Sequence, residues 1–422
     1  MLEVYCGGMS DKAKKILFAI FFVTFSVGMG FVVYRMLFGP PDAGTPTAEP
    51  PAPSFGGSLP TANTGTAPIA GGDTGGTPFF PETVPGGTGA VGTLPTAAAQ
   101  TTLAYAGIAQ AGSPDRANNG ARFYNPEDGT FYRTNADGSV TTLSSKQFFN
   151  VSQVSWGNTS DQAILSFQDG RKVHYDFQTQ SQVTLPSFWS DFSFSNDDQK
   201  VVGKSLGLDE NNRFLIVANP NGSEAKAIES LGRNADRVFP AWVGGGKVVA
   251  YAKTGEAQSG GGQQIYLVGQ NQENLKSLNV PGQGFLPAFS PSGRTVVYSV
   301  WHERSLNKPE LWVSSADAAT VGAGRRSLKL NTWADKCSWA TETVLYCAVP
   351  QGLPENAGLQ RESFSTLPDD LYRLDLDSGT AVKIDYAPGQ EVPMKNLVPT
   401  ADGSAIFYAD ASTGKLYKHL LK

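Results

Sequence analysis

The chain has 422 residues, a formal net charge of -5 at pH 7 and only 17% charged residues. This length is enough for one large domain with flanking segments. No stripe of lysine and arginine lies beyond the first residues, so the composition excludes the electrostatic footprint of a nucleic-acid-binding protein, and no nucleic-acid partner is predicted.

The N-terminal segment has the pattern of a membrane anchor. Three lysines between residues 12 and 15 precede an uncharged apolar run at 16–34. As a helix, such a run spans a bilayer core of about 30 Å. The basic residues come first, so the positive-inside rule predicts a cytoplasmic N-terminus at 1–15, a single transmembrane helix at 16–38 in the plasma membrane, and an extracytoplasmic remainder. A weak cleavage site favours an uncleaved anchor, and Met9 is an alternative start to Met1.

Residues 39–120 are predicted to form a disordered linker. The segment is rich in Pro, Gly, Thr and Ala and has almost no apolar periodicity. It buries too little apolar surface to offset its chain entropy. We therefore expect a flexible tether between the membrane and a folded domain at 121–422.

The domain at 121–422 repeats one short hairpin motif, in which an apolar strand ends at an aromatic residue and a tight turn leads into a second apolar strand. Repeats of about 40 to 50 residues with four short strands are typical of β-propeller blades. The repeated aromatic residue is predicted to pack between blades. The six units align on Trp156, Phe194, Trp242, Phe289, Trp339 and, in the aromatic position, Pro399.

The ring must also close between the two ends of the chain. The C-terminal unit supplies three obvious strands, and residues 129–143 match the last half of a blade. We expect an N-terminal strand or strands to complete the C-terminal blade, because this leaves no open sheet edge. This interpretation gives an all-β, six-bladed propeller. A seven-bladed ring, with 121–145 as a reduced blade, is the alternative.

The segments "FSPSGRTVVYSVWHERSLNKPELWVSSAD" and "LYRLDLDSGTAVKI" resemble the repeats of TolB-like six-bladed propellers, which are also similar to the propeller domain of prolyl oligopeptidases. The resemblance covers about 145–422. It implies a binding scaffold, often for another protein. TolB proteins carry an α/β domain where this chain has its predicted anchor and linker, so the resemblance does not identify a partner.

Cys337 and Cys347 flank a tight hairpin, where neighbouring strands place them roughly opposite each other. Outside the cytoplasm such a pair can oxidise. We predict a cross-strand disulfide, with two free core thiols as the alternative, because the spacing permits the geometry without requiring it.

Few residues are available for catalysis. The chain has three histidines, of which His174 and His419 lie in predicted strands and are interpreted as structural. No nucleophile elbow, metalloprotease motif, CxxC pair or phosphate-binding loop is present. The carboxylates of 375–379 have calcium-loop spacing but also suit a hairpin turn. We therefore predict no enzyme activity, no catalytic residue, no metal and no cofactor.

The loops between second and third strands are long in four successive blades, at 205–212, 253–263, 301–309 and 350–368. Antiparallel order puts them on one face, and loops longer than the geometry requires are usually functional or disordered. One long loop, 316–325, belongs to the opposite face. The candidate ligand-binding residues are Trp301, His302, Glu303, Arg304, Arg361, Glu362 and Phe364. The alternative is that Trp301 plugs its blade and the others are solvated.

Polar residues near the starts of inner strands are predicted to line the central channel, where they either coordinate a ligand or hold water. They are Asp191, Asp236, Asp335, Lys336 and Lys395.

Three functions remain open from the sequence. The first is a membrane-anchored scaffold that binds an envelope protein or glycan on the long-loop face. The second is a hydrolase or lyase with a site at the channel mouth. The third is a structural subunit of an envelope assembly.

Overall fold

The computed structural model describes residues 101–421, except 116–117, 136, 244–245, 255–260, 272, 274 and 386–390. These residues form seven four-stranded antiparallel sheets, and the fold is an all-β, seven-bladed propeller. None of the helices in this part of the chain is both long and apolar enough to cross a membrane. The segments predicted as anchor, 1–15 and 16–38, and as most of the linker, 39–100, lie outside the described residues.

The strands of blades 1 to 3 follow the chain in order from the inner to the outer edge of each sheet. Blade 1 consists of β2 (Gln110–Asp115), β3 (Gly120–Asn125), β4 (Thr130–Thr134) and β5 (Val140–Thr142). Blade 2 consists of β6 (Val151–Trp156), β7 (Gln162–Phe167), β8 (Lys172–Asp176) and β9 (Ser181–Leu185). Blade 3 consists of β10 (Trp189–Phe194), β11 (Val201–Leu206), β12 (Arg213–Ala218) and β13 (Lys226–Ser230).

Blades 4 to 6 repeat this order. Blade 4 consists of β14 (Val238–Pro240), β15 (Val248–Lys253), β16 (Gln263–Gly269) and β17 (Leu278–Val280). Blade 5 consists of β18 (Gln283–Phe289), β19 (Thr295–Trp301), β20 (Glu310–Ser315) and β21 (Arg326–Ser327). Blade 6 consists of β22 (Cys337–Trp339), β23 (Val344–Pro350), β24 (Asp369–Asp375) and β25 (Thr380–Ile384).

Blade 7 is built from both ends of the described chain. Its inner three strands are β26 (Met394–Pro399), β27 (Ala405–Asp410) and β28 (Leu416–Leu420), and its outer strand is β1 (Thr101–Tyr105). Short 3-10 turns occupy Glu210–Asn212, Gly232–Asn234, Glu303–Ser305, Ala334–Lys336, Ala357–Leu359 and Arg361–Phe364.

The blades are held together by apolar clusters between neighbouring sheets. One cluster joins Tyr124 and Phe131 of blade 1 to Leu165 and Tyr175 of blade 2, and Trp156 packs against it. The rings of Phe131 and Trp156 meet edge to face, with centroids 5.5 Å apart. The repeated aromatic at the end of the first strand therefore lies between blades, because each four-stranded sheet has two faces to cover.

The six-bladed prediction is wrong, and the count of seven in the alternative is correct. The added blade is not a reduced one at 121–145, because it has four strands and begins at Gln110. Residues 129–143 do not complete the C-terminal blade: they lie within β4 and β5 of a separate four-stranded sheet. Closure comes instead from β1, which pairs with β28 and begins at Thr101, ahead of the predicted domain boundary at 121. The extra unit escaped the sequence alignment because its first strand ends at Asp115 rather than at an aromatic residue.

His419 lies at the closing seam between β1 and β28. Its Nδ1 is 2.7 Å from the hydroxyl of Thr101, the residue directly opposite. Burial lowers the pKa of His419 below its ordinary value, so the unfolded chain takes up a proton at a higher pH than the folded chain does.

We expect the seam to be stable above about pH 6.5 and to weaken as the pH falls from there towards the lowered pKa of His419, because protons favour the unfolded chain in that window. Urea unfolding at several pH values tests this. The His419→Gln variant should lose less stability than wild type between pH 7 and pH 5, whereas equal losses would contradict the assignment to His419. His174, whose pKa is also lowered by burial, remains in both proteins.

The predicted disulfide is confirmed. Cys337 of β22 and Cys347 of β23 are direct partners in the strand register, with Cα atoms 4.0 Å apart, and their sulfurs are bonded. Both cysteines belong to the cluster that packs blade 5 against blade 6.

Replacing both cysteines with alanine should lower the free energy of unfolding by about 2 to 3 kcal/mol, the entropy estimate for a cross-link that closes so short a loop. Chemical denaturation of the oxidised protein and the variant measures the difference. Reduction of wild type should reproduce most of the loss; a stable reduced protein would contradict the estimate.

Candidate functional site

The antiparallel order of each blade sends two kinds of connection to one face: the loops from second to third strand, and the links from one blade to the next. We call this the long-loop face. Its longest described loops are 302–309 in blade 5 and 351–368 in blade 6. In blades 7, 1 and 2 the corresponding loops are short, at 411–415, 126–129 and 168–171.

The two long loops are joined by hydrogen bonds. The backbone N–H of Asn356 donates to the carbonyl of Leu306 at 2.9 Å, and that of Gly358 donates to the carbonyl of Asn307 at 2.8 Å. The side-chain amide of Asn307 also donates to Asn356 Oδ1 at 2.9 Å. The loops therefore form one preorganised surface across blades 5 and 6 rather than two independent flexible segments.

Trp301 is half-buried beneath this surface. A Cβ at Gly358 would lie 2.6 Å from Trp301 Cβ, and one at Gly284 would lie 2.5 Å from the indole Nε1. Glycine at both positions thus lets the backbone approach the indole closely. Trp301 lines a cavity of about 130 Å³ together with Trp333 and Arg361.

We expect Gly358→Ala to separate the two loops, since the new methyl group would also meet the backbone carbonyl of Asn307 at 2.7 Å. Overpacking of this kind costs about 1 to 3 kcal/mol. Hydrogen exchange at Asn356 and residue 358 should accelerate. The matched control is Gly352→Asn in the same loop, where φ is 66° and a Cβ has open space. Equal protection in both variants would contradict the close-approach argument.

His302 has a structural role in the blade 5 loop. Its Nδ1 accepts a hydrogen bond from the N–H of Ser305 at 3.1 Å, which caps the turn Glu303–Ser305. Its Nε2 lies 3.0 Å from Glu310 Oε2. Burial acts to raise the pKa of Glu310, but hydrogen bonds from His302 and Ser327 outweigh it and hold that pKa below its ordinary value. Both ring nitrogens are therefore engaged in positioning the loop.

The predicted residues of the blade 6 loop divide into half-buried and exposed groups. Arg361 forms an ion pair with Asp335, and its guanidinium lies 5.8 Å from the centre of the Trp333 ring. Phe364 packs against the small cluster that contains Trp333. Glu362 is exposed. In the blade 5 loop, Glu303 and Arg304 are likewise exposed.

Most of the predicted channel residues are engaged in ion pairs. Asp191 meets Lys204 at 2.8 Å, and Lys336 meets the fully buried carboxylate of Asp369 at 2.7 Å. Asp236 is exposed on the link between blades 3 and 4. The remaining residue, Lys395, lines a separate cavity among blades 7, 1 and 2.

The exposed large apolar side chains of the described loops lie on one face of the ring, spread over several blades. In the described part of the chain, some of the exposed large apolar side chains lie in outer strands or at the end of β28. The others lie on the long-loop face, and none of those described lies in a turn of the opposite face. Those on the long-loop face are Phe149, Phe188, Leu208, Leu306 and Leu359. Sequence reasoning missed all five, because a lone apolar residue in a polar loop carries no periodic signal.

The opposite face also carries a cavity, of about 420 Å³, between blades 4 and 5. Lys247, Arg294 and Asp317 lie on its wall, next to the long connection at 316–325. This face therefore offers a polar, charged cavity, whereas the long-loop face offers apolar side chains.

No protein-family model matches the sequence, and no curated protein matches it. Among solved structures, an oligogalacturonate lyase in complex with manganese is 14% identical, with 76% of this chain and 93% of that chain covered and a TM-score of 0.53. The Cps50 (Swd1) propeller domain of Myceliophteria thermophila is 11% identical, covering 76% and 100%, with a TM-score of 0.49. TolB from Acinetobacter baumannii is 12% identical, covering 66% and 65%, with a TM-score of 0.43. At these identities the likeness shows the propeller fold alone.

Proposed function

We propose that the protein is a binding module that docks another protein of the cell envelope on its long-loop face, and that the predicted helix at 16–38 tethers it to the membrane. The observation that carries this proposal is that the exposed large apolar side chains of the described loops all lie on that face. Exposed apolar groups that gather on one side of a protein mark interaction surfaces more often than scattered ones do.

The rigid loop pair supports the same proposal. Association costs the entropy of ordering flexible segments, and a surface already held by hydrogen bonds avoids part of that cost. Leu306 and Leu359 each expose 52% of their surface, and the loops that carry them are joined by hydrogen bonds. They would serve as the apolar anchors of the interface.

A protein fits the loop pair of blades 5 and 6 better than a glycan does. The exposed aromatic residues of this face, Phe149 and Phe188, lie elsewhere, on the links before β6 and β10. Sugars stack on exposed aromatic faces, but Trp301, the aromatic residue expected to do this, is half-buried between two glycines. The side chains presented by the loop pair are aliphatic. The enzymatic alternative and the structural-subunit alternative remain predictions from the sequence.

The test compares two double variants of the full chain. Leu306→Asp with Leu359→Asp should abolish co-purification of an envelope protein from mild detergent extracts, because it places charges at the centre of the proposed interface. Val183→Asp with Val382→Asp is the control, since these residues are similarly exposed, at 41% and 53%, but lie on outer strands. Loss in the control alone, or retention in both, would contradict the proposal.

A further inference from the structure

A second cavity opens at the inner strands of blades 7, 1 and 2. It has a volume of about 220 Å³, and its lining comes from β2, β3, β6 and β26. These blades carry the short loops of the long-loop face. The cavity shares no lining residue with the loop pair of blades 5 and 6.

Four polar side chains of this lining make no hydrogen bond or ion pair with the part of the chain that the structure describes. They are Gln110, Gln153, Lys395 and Asn396. Gln110 and Gln153 are exposed, and Lys395 and Asn396 are half-buried, so all four groups are accessible to a ligand in the cavity. Three amides and an ammonium group from three blades thus line one space.

The remaining lining is partly apolar. Tyr124, Val151 and Val154 contribute to the wall, and the Tyr124 hydroxyl is already used in a 2.6 Å hydrogen bond to the carbonyl of Phe148. None of the lining residues is acidic. A ligand that complements these residues has one anionic group to pair with the lysine, hydroxyl groups to hydrogen-bond with the amides, and an apolar face to contact the tyrosine and valines.

We infer that this cavity binds a hydroxylated carboxylate of the acidic-sugar class, with Lys395 as the carboxylate partner and the amides of Gln153 and Asn396 as hydroxyl partners. The volume suits one sugar unit, since it is below the roughly 300 Å³ at which pockets for larger ligands begin. Asn396 has a left-handed backbone conformation, with a φ of 53°, in an irregular stretch of β26. This inference does not depend on docking of a partner at the long-loop face.

Calorimetric titration of the full chain tests the inference with three probes: D-glucuronate, D-glucose and acetate. We expect glucuronate to bind at least tenfold more tightly than either glucose, which lacks the charge, or acetate, which lacks the hydroxyl groups. The affinity for glucuronate should fall with added salt, because one charge pair contributes to it.

Two variants test whether glucuronate binding depends on Lys395 itself or only on the total positive charge of the protein. Lys395→Gln should lower glucuronate affinity at least tenfold, to the level of glucose, with an unchanged unfolding midpoint. Lys226→Gln, on the exposed outer strand β13, should bind as wild type does. Three results would each overturn the inference: no glucuronate binding by wild type, retained affinity in Lys395→Gln, or acetate binding as tight as glucuronate binding.

Discussion

Tyr105→Ala is expected to lower the free energy of unfolding by about 3 kcal/mol, at the low end for loss of a large aromatic side chain. Tyr105 lies at the end of β1, and its ring packs 4.8 Å from Phe123 and 5.4 Å from Tyr132 of blade 1. Its hydroxyl accepts a hydrogen bond from Asn125 at 2.9 Å. The Tyr105 side chain therefore packs the closing strand of blade 7 against blade 1.

Urea unfolding of three variants measures this effect. Tyr105→Phe should lose only about 1 kcal/mol, the value of one hydrogen bond. Leu103→Ala, on the same strand but with 50% of its surface exposed, should lose little. A Tyr105→Ala protein as stable as Leu103→Ala would show that β1 does not close the ring.

Arg122→Ala is expected to cost about 3 to 5 kcal/mol, because it removes a buried charge and leaves several buried acceptors unpaired. Its side chain is 3% exposed. One terminal nitrogen donates to the carbonyl of Ser160 at 2.7 Å, and the other donates to the carbonyls of Gly157 at 2.7 Å and Pro114 at 3.0 Å. These contacts join blade 1 to blade 2.

The geometry requires a guanidinium rather than a charge alone. Burial lowers the pKa of Arg122, whereas Asp161 and Asp115 act to raise it, and the group also lies 5.0 Å from the centre of the Trp156 ring. Arg122→Lys keeps the charge but cannot reach all three carbonyls. Its unfolding free energy should fall between those of wild type and Arg122→Ala; a lysine variant as stable as wild type would contradict the argument.

The propeller fold could be predicted because its repeat is local. The hairpin turns and the aromatic residues at Trp156, Phe194, Phe289 and Trp339 lie where the first strands end. The blade count could not be predicted in the same way, because Asp115 replaces the aromatic residue in blade 1. The closing strand "TTLAY" follows a segment rich in Thr and Ala. Its position depends on pairing with β28 and on the packing of Tyr105 against blade 1, and neither has a local sequence pattern.

The placement of the long loops on one face was predictable, but the contacts within and between them were not. Loop lengths and strand order place the long loops on one face, as antiparallel pairing requires. The role of His302 depends on a hydrogen bond to the backbone of Ser305, and the cover over Trp301 depends on the distant Gly358. Neither contact has a sequence pattern, because each is created by how two loops meet in space.

The most direct test of the docking proposal is site-specific photo-crosslinking in intact cells, with a photoreactive residue in place of Leu208, Leu359 or Asn221. The first two lie on the long-loop face, and Asn221 lies in the β12–β13 turn of the opposite face. We predict that Leu208 and Leu359 give an adduct with the same protein and that Asn221 gives none. An adduct from Asn221 alone would place the partner on the other face and contradict the proposal.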